Sequence, residues 1–418
     1  MKKLISTIAI TTALLAPGIV LAEGEGGPDV AQQLADVKSK LKTQQQQIEA
    51  ISEMAASAGG SKVTLGNNLI DNFTFKGDLR ARYERRDRDN YGTKVDDAVD
   101  RMRTRFRVGG VWKNKTENWE IGAGLATGGN DGTSTNATWS DGNYFNTGDI
   151  RLDYAYATHK FGDAFRLTLG QQINPFYSSS ILWDGDLRPI GLGGQFNLNG
   201  LFVNAGAFDV YQKGDSTYGD DIAYLVAGQV GYGGKSGIMK YKAAAAYYGF
   251  DTKVFDTGKS SIATRPNPDY EYKIGALTGE VGGDFGPANL KLAGEFFKNL
   301  GADGAVGQGM LGGTLDPKSE DTGWVIGAQG NIKNFKLGYD YVRIGADSVN
   351  PYLKDADFGS GLGLGVDIKG HRISTGYNIS KNVSIDGTVL IYEPMTRTTA
   401  VAGVEEVKLY QLDVNYKF

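Results

Sequence analysis

From Phe73 to the end of the chain, apolar and polar side chains alternate with a period of two. The alternating segments are about ten residues long, and the connections between them are by turns long and short. The long ones cover residues 86–100, 128–148, 172–192, 211–221, 251–270, 300–321, 346–366 and 393–405. The short ones cover residues 113–117, 162–164, 197–200, 233–236, 283–287, 333–334 and 380–382. Period two is the signature of strands with two unlike faces. A soluble sandwich or propeller has no reason to sort its loops by length, whereas a membrane barrel has short turns on one side and long loops on the other. The expected fold is therefore all-β, a transmembrane antiparallel β-barrel of about 16 strands over residues 61–418. An even count puts both ends on the short-turn side.

The two faces of each segment support this. On the first, Phe73, Phe75, Leu79, Ala81 and Tyr83 oppose Lys76, Asp78, Arg80, Arg82 and Glu84. On the second, Met102, Phe106, Val108 and Trp112 oppose Arg101, Arg103, Arg105 and Arg107. An arginine facing lipid at mid-membrane costs about 2–4 kcal/mol, so the arginines are expected to face a polar lumen. Trp112 and Trp119 flank the first short turn and suit an aromatic girdle, as does Trp324 after a long loop. The last segment is the most regular: Tyr410, Leu412, Val414, Tyr416 and Phe418 alternate with Gln411, Asp413, Asn415 and Lys417. It looks like the C-terminal membrane-insertion signal of outer-membrane proteins, which ends in Phe.

Composition removes several other classes. Mean hydropathy is negative, and after residue 22 no apolar run reaches the length of a membrane helix. There is no Cys, so disulfides and thiolate chemistry are excluded. The two histidines, His159 and His371, are too few for a zinc site or a Ser-His-Asp triad; His159 is expected to face the lumen. Residues 87–98 begin like a calcium loop, but Tyr91 and Ala98 stand where ligands are needed. A net charge of −4 argues against nucleic acid as a partner. No cofactor motif is present.

Residues 1–22 read as a signal peptide, with Lys2 and Lys3, the apolar stretch from Leu4 to Leu15, and a Val20-Leu21-Ala22 cleavage pattern. The mature chain is expected to begin at Glu23. Within residues 23–60 lies a heptad seam: Leu34, Leu41 and Ile48 at one core position, Val37, Gln44 and Ile51 at the other. β-Branched residues at the second position favour three or four helices over two. A short α-helical coiled coil is expected to precede the barrel as a periplasmic oligomerisation segment. The competing reading is a single amphipathic helix lying on the barrel or the membrane.

Export signal, coiled coil, barrel and terminal Phe together resemble the putative porin family of Gram-negative bacteria. The segments FKGDLRARYERR (residues 75–86) and LGQQINPFYSSSILWDGDLRPIG (residues 169–191) are the most family-like. The resemblance implies a homotrimeric outer-membrane channel for passive diffusion of small hydrophilic solutes and ions, not an enzyme. Its partners would be outer-membrane lipid, lipopolysaccharide and the barrel-assembly machinery. In porins that it resembles, the third long connection folds into the channel; here that is residues 172–192, with Trp183, Asp184, Asp186 and Arg188. Arg80, Arg82, Arg101, Arg103, Arg105 and Arg107 would form a basic wall that favours anions, facing Asp184 and Asp186 across a constriction. Alternatively they are paired with Asp78, Glu84, Glu120 and Asp153 and only line the lumen. Two other functions fit the same features: a sugar-type porin, and a tether whose coiled coil grips peptidoglycan.

Overall fold

The computed structural model describes residues 72–90, 98–114, 116–129, 132–140, 142, 144–145, 148–215, 219–251, 269–396 and 403–418. The chain divides into two compact units, Met1–Phe75 and Lys76–Phe418. The signal peptide and the heptad seam (Leu34, Val37, Leu41, Gln44, Ile48, Ile51) lie outside the described residues.

Seventeen strands are present among the described residues: β1 (Phe73–Asn90), β2 (Val99–Asn114), β3 (Trp119–Thr127), β4 (Ala137–Thr138), β5 (Ile150–Phe161), β6 (Phe165–Gln171), β7 (Ile190–Leu198), β8 (Leu201–Asp215) and β9 (Gly219–Ser236), then β10 (Met239–Phe250), β11 (Lys273–Phe285), β12 (Ala288–Asn299), β13 (Thr322–Ile332), β14 (Phe335–Ile344), β15 (Ile368–Asn378), β16 (Val383–Pro394) and β17 (Val404–Lys417). They form one antiparallel sheet that closes, because β1 pairs with both β2 and β17. β4 is a two-residue strand that pairs with β2 beyond the end of β3, so the wall has sixteen strands. At the seam the register runs from Asp78↔Lys417 to Asn90↔Val404. It is sealed at the short-turn rim by reciprocal backbone hydrogen bonds of 3.0 Å between Gly77 and Phe418.

Alternation sorts the side chains as a membrane barrel requires. Leu79, Tyr83, Ile121, Leu412, Val414 and Tyr416 are exposed on the outer face, whereas Arg82, Glu84, Asp153 and Asp413 are buried on the inner one. The outer face is thus an apolar band around a polar interior.

Three expectations are corrected. The first long connection is shorter than residues 86–100, because β1 continues to Asn90 and β2 begins at Val99. A run of charges reads as loop, yet its alternation is unbroken, and pairing with Lys408, Val407 and Glu406 keeps it in the sheet. Residues 211–221 are mostly strand, since β8 reaches Asp215 and β9 starts at Gly219 across a bulge near Asp209 and Tyr211. His159 faces outward: it pairs with Trp119 in register and its ring lies 4.6 Å from Trp119 and 4.5 Å from Phe161, both exposed on the outer face. The inward neighbour is Thr158, bonded to Thr168.

The interior is also less uniformly polar than alternation implies. Toward the long-loop side, inward positions such as Phe208, Leu225, Tyr248, Ile344, Tyr392 and Leu409 are apolar and almost fully buried. They would have no reason to be apolar in a water-filled tube. They are seats for two connections that fold inward, residues 172–189 and 345–367.

Candidate functional site

The first inward connection joins β6 to β7. Phe176, Ile181, Leu182 and Trp183 belong to its buried apolar side. The Phe176 ring meets Tyr248 edge-on at 5.3 Å and Phe208 at 6.1 Å, and Trp183 lies 6.1 Å from Tyr248. Burying a large side chain of this kind is worth about 1.5–3 kcal/mol, enough in sum to hold a loop against the entropy of a free one. The polar side of the same connection, Asp184 to Arg188, is thereby turned toward the lumen.

The second inward connection joins β14 to β15 and was not expected. Val349, Phe358 and Leu362 are buried, and the Phe358 ring packs 5.2 Å from Tyr392. Gly359, Gly361, Gly363 and Gly365 all have positive φ, so the chain coils tightly at alternate positions that most residues avoid. At Gly361 a Cβ would also press on the Arg86 guanidinium. The two connections bond to each other inside the barrel. Asp184 N–H donates to the Leu353 carbonyl at 2.7 Å, and Asp355 N–H to the Ser180 carbonyl at 2.8 Å. Arg372 of β15 clamps the joint, reaching Asp340, Asp355 and Ser180.

Opposite these loops stands the arginine wall. Arg80, Arg82, Arg86 and Arg88 lie on the inner side of β1, and Arg101, Arg103, Arg105 and Arg107 on that of β2. Wall carboxylates compensate part of the charge. Asp78 holds Arg105 and Arg107 at 2.8 Å each; Glu84 holds Arg101, and Arg82 and Arg103 at 3.6 Å; Asp413 holds Arg82 at 2.7 Å. Glu120 is taken up by Lys113 and Tyr156, and Asp153 by Arg188 at 3.2 Å. Among the described residues, two ion pairs run from the arginines of β1 and β2 to the loops, Arg82–Asp357 at 3.1 Å and Arg107–Asp186 at 3.3 Å.

A cleft of about 390 Å³ remains between the two sides. It is lined on the wall by Arg80, Arg101, Arg103 and Arg105, and on the loops by Asp184, Asp186, Asp355 and Asp357. The residues singled out in the sequence are thus brought together, except Arg82 and Arg107, which flank the cleft through their ion pairs, and Arg188, which lines a neighbouring cavity of about 730 Å³. Sequence reading missed Asp355 and Asp357 on the second loop, and Arg86 and Arg88 beyond the supposed end of β1. An apolar signal for the second inward loop is present in the sequence at Leu353, Phe358, Leu362, Leu364 and Val366.

Electrostatics on the loops are unusual. Burial pushes the Asp184 carboxyl up to about 8, aided by the neighbouring charges of Asp355 and Asp186. Burial pushes the Lys354 ammonium down to about 8, against the pull of Asp355 and Asp184. At Asp357 burial opposes ionisation, but Arg82, Gln411 and Arg103 together outweigh it and the carboxyl lies below its usual range.

Comparison with known proteins agrees with this architecture. The family model described as "Putative porin" matches residues 88–273. The Salmonella typhi OmpF structure in complex with daunomycin superposes with a TM-score of 0.50 at 13% identity, covering 83% of this chain and 97% of that one. A mutant of Rh. blastica porin gives 0.45 at 12% identity, covering 83% and 100%. A BenF-like porin from Pseudomonas fluorescens gives 0.47 at 11%, covering 84% and 100%. No curated protein matches the chain by sequence.

Proposed function

We propose, starting from the porin-family match and the closed sixteen-strand barrel, that this porin-type channel passes small hydrophilic solutes and ions by diffusion across an outer membrane. The observation that supports this reading most strongly is the cleft inside the barrel, where a wall of arginines faces aspartates on two inward loops. Such an arrangement sets up a field across the path rather than along it, and low-dielectric walls strengthen it. Eight inward-facing arginines on β1 and β2 stand against seven carboxylates (Asp78, Glu84, Asp413, Asp184, Asp186, Asp355 and Asp357). The proposed anion preference is accordingly slight, and it rests on the wall. In planar bilayers, Arg103→Glu combined with Arg105→Glu should lower the anion-to-cation permeability ratio about fivefold or more. An unchanged reversal potential would make the wall purely structural.

The loop groups add a pH dependence. As pH rises through about 8, Asp184 gains a negative charge and Lys354 loses a positive one. Asp186, Asp355 and Asp357 face the same region. Both changes favour cations, so the reversal potential should move toward cation selectivity over roughly two units either side of that midpoint. Asp184→Asn should remove about half of the movement; a titration that it leaves intact would assign the effect elsewhere.

The heptad seam of Leu34, Val37, Leu41, Gln44, Ile48 and Ile51 supports a homotrimer joined on the short-turn, periplasmic side. Deleting residues 29–60 should lower the sedimenting mass of the detergent-solubilised assembly while leaving single-channel conductance intact. Loss of envelope integrity with unchanged channels would instead favour the tether reading.

A further inference from the structure

Toward the short turns, below the inward loops, the lumen wall changes character. The cleft is nearly balanced in charge and the whole chain carries −4, yet this half of the inner wall is basic. Glu120, Glu280, Asp284 and Asp386 face inward there, and each already holds a lysine at 3.2–3.9 Å. Lys76, Lys160, Arg166, Lys235, Lys242 and Lys417 are left over, with no carboxylate within ion-pair distance among the described residues. Two inward contacts are even of like charge. Lys160 and Arg166 stand opposite each other on β5 and β6, and Lys235 and Lys240 on β9 and β10. Like charges directly opposite destabilise a sheet. Asp163, at the tip of the first of these hairpins, is within ion-pair distance of neither partner. In the second, Lys240 has Asp284 at 3.2 Å and Lys235 has no carboxylate that close. Lys242 is in register with Glu280, but its ammonium lies over the Tyr177 ring at 3.9 Å and the Phe202 ring at 4.8 Å. Aromatic faces hold a cation without cancelling its charge. Tyr177 belongs to the first inward loop, so the basic lining runs from the turns up to the underside of that loop.

We propose that this short-turn mouth is a docking site for a flexible polyanion, which enters from that side, lies along the cations and closes the path below the loops. Single exposed ammonium groups are screened by salt and hold a small anion weakly. A chain of linked carboxylates engages several of them at once, and each contact raises the effective concentration for the next. A polycation is repelled, and a neutral oligomer gains nothing from the charges. On the long-loop side Lys318 and Lys273 are each matched by a carboxylate, Asp303 at 2.8 Å and Glu271. The proposal rests on the channel reading above.

The test is block of the full-length protein in planar bilayers by a short poly-L-glutamate, added to one chamber at a time. The chain has no Cys, so biotin on Val306→Cys, an exposed position between β12 and β13, marks the chamber that the long loops face by the drop in current when streptavidin is added there. Block from the short-turn chamber should need about tenfold less peptide than block from the other, and should weaken as salt is raised. Lys160→Gln, Arg166→Gln and Lys235→Gln combined should raise the blocking concentration about tenfold, and Lys235→Gln alone about threefold. Unblocked current in high salt should match the wild type in both, which shows that the barrel has assembled. Lys318→Gln should change nothing. Block that is equal from the two chambers, or unmoved by both variants, overturns the docking site while the channel stands. Bilayers that show no conductance with the wild-type protein overturn the channel reading, and the docking site with it.

Discussion

A chain shortened by its last residue, Phe418, is expected to yield far less closed barrel than the full chain. Phe418 makes the last two backbone bonds of the seam, accepting from and donating to Gly77 at 3.0 Å. Its ring lies directly over Gly77, where an added Cβ would sit 2.3 Å from a ring carbon, and it stacks on Phe106 at 6.4 Å. Two hydrogen bonds at about 1 kcal/mol each, with about half the burial of a Phe side chain, come to about 3 kcal/mol at the one place where the sheet must meet itself. That corresponds to about a hundredfold in the closed population. Retarded migration without heating and resistance to trypsin would measure it. Phe418→Ala keeps the backbone bonds and should lose less. Gly77→Ala should be damaging although it adds only one methyl group, since the new Cβ also lies 2.8 Å from the Arg107 carbonyl. Full-chain yields from the shortened form would show that closure does not depend on this contact.

Replacing residues 350–365 with a short Gly-Ser link is expected to raise single-channel conductance about two- to threefold. The segment brings Phe358 and Leu362 into the lumen, and it carries two of the four aspartates of the cleft. Its removal widens the path and abolishes two supports of the other loop, the Leu353 carbonyl and Asp355. Current noise should therefore grow as well, because residues 172–189 lose part of what holds them still. A narrower change, Trp183→Ala with Phe176→Ala, unseats only the first loop; core truncations of this size cost about 3–5 kcal/mol each. Unchanged conductance in both variants would mean that neither loop narrows the path.

How much of this was legible beforehand differs by level. The strand rhythm located most of the wall, and the basic inner face of β1 and β2 followed from the cost of arginine in lipid. The errors fell where a local signal was ambiguous. Arg86 to Asn90 look like loop because they are nearly all charged, yet above an apolar band both faces of a strand can be charged. His159 was placed on the wrong face because a polar residue was taken to prefer the lumen, although near the short-turn rim an imidazole packs well between Trp119 and Phe161. The second inward loop was missed because only the third long connection was expected to fold inward; the positive φ values of its glycines build a tight coil.

The sequence by itself determined the closed, two-faced wall. Period two and the alternation of loop lengths are local properties, and each strand carries its own instructions for which side faces in. Only the tertiary structure decided the site. The cleft depends on Asp184 meeting Leu353 and on Arg82 meeting Asp357, contacts between residues far apart along the chain. No local pattern states that one loop will find its seat on another. That is decided by which apolar patches of the inner wall are left to be covered once the barrel has closed.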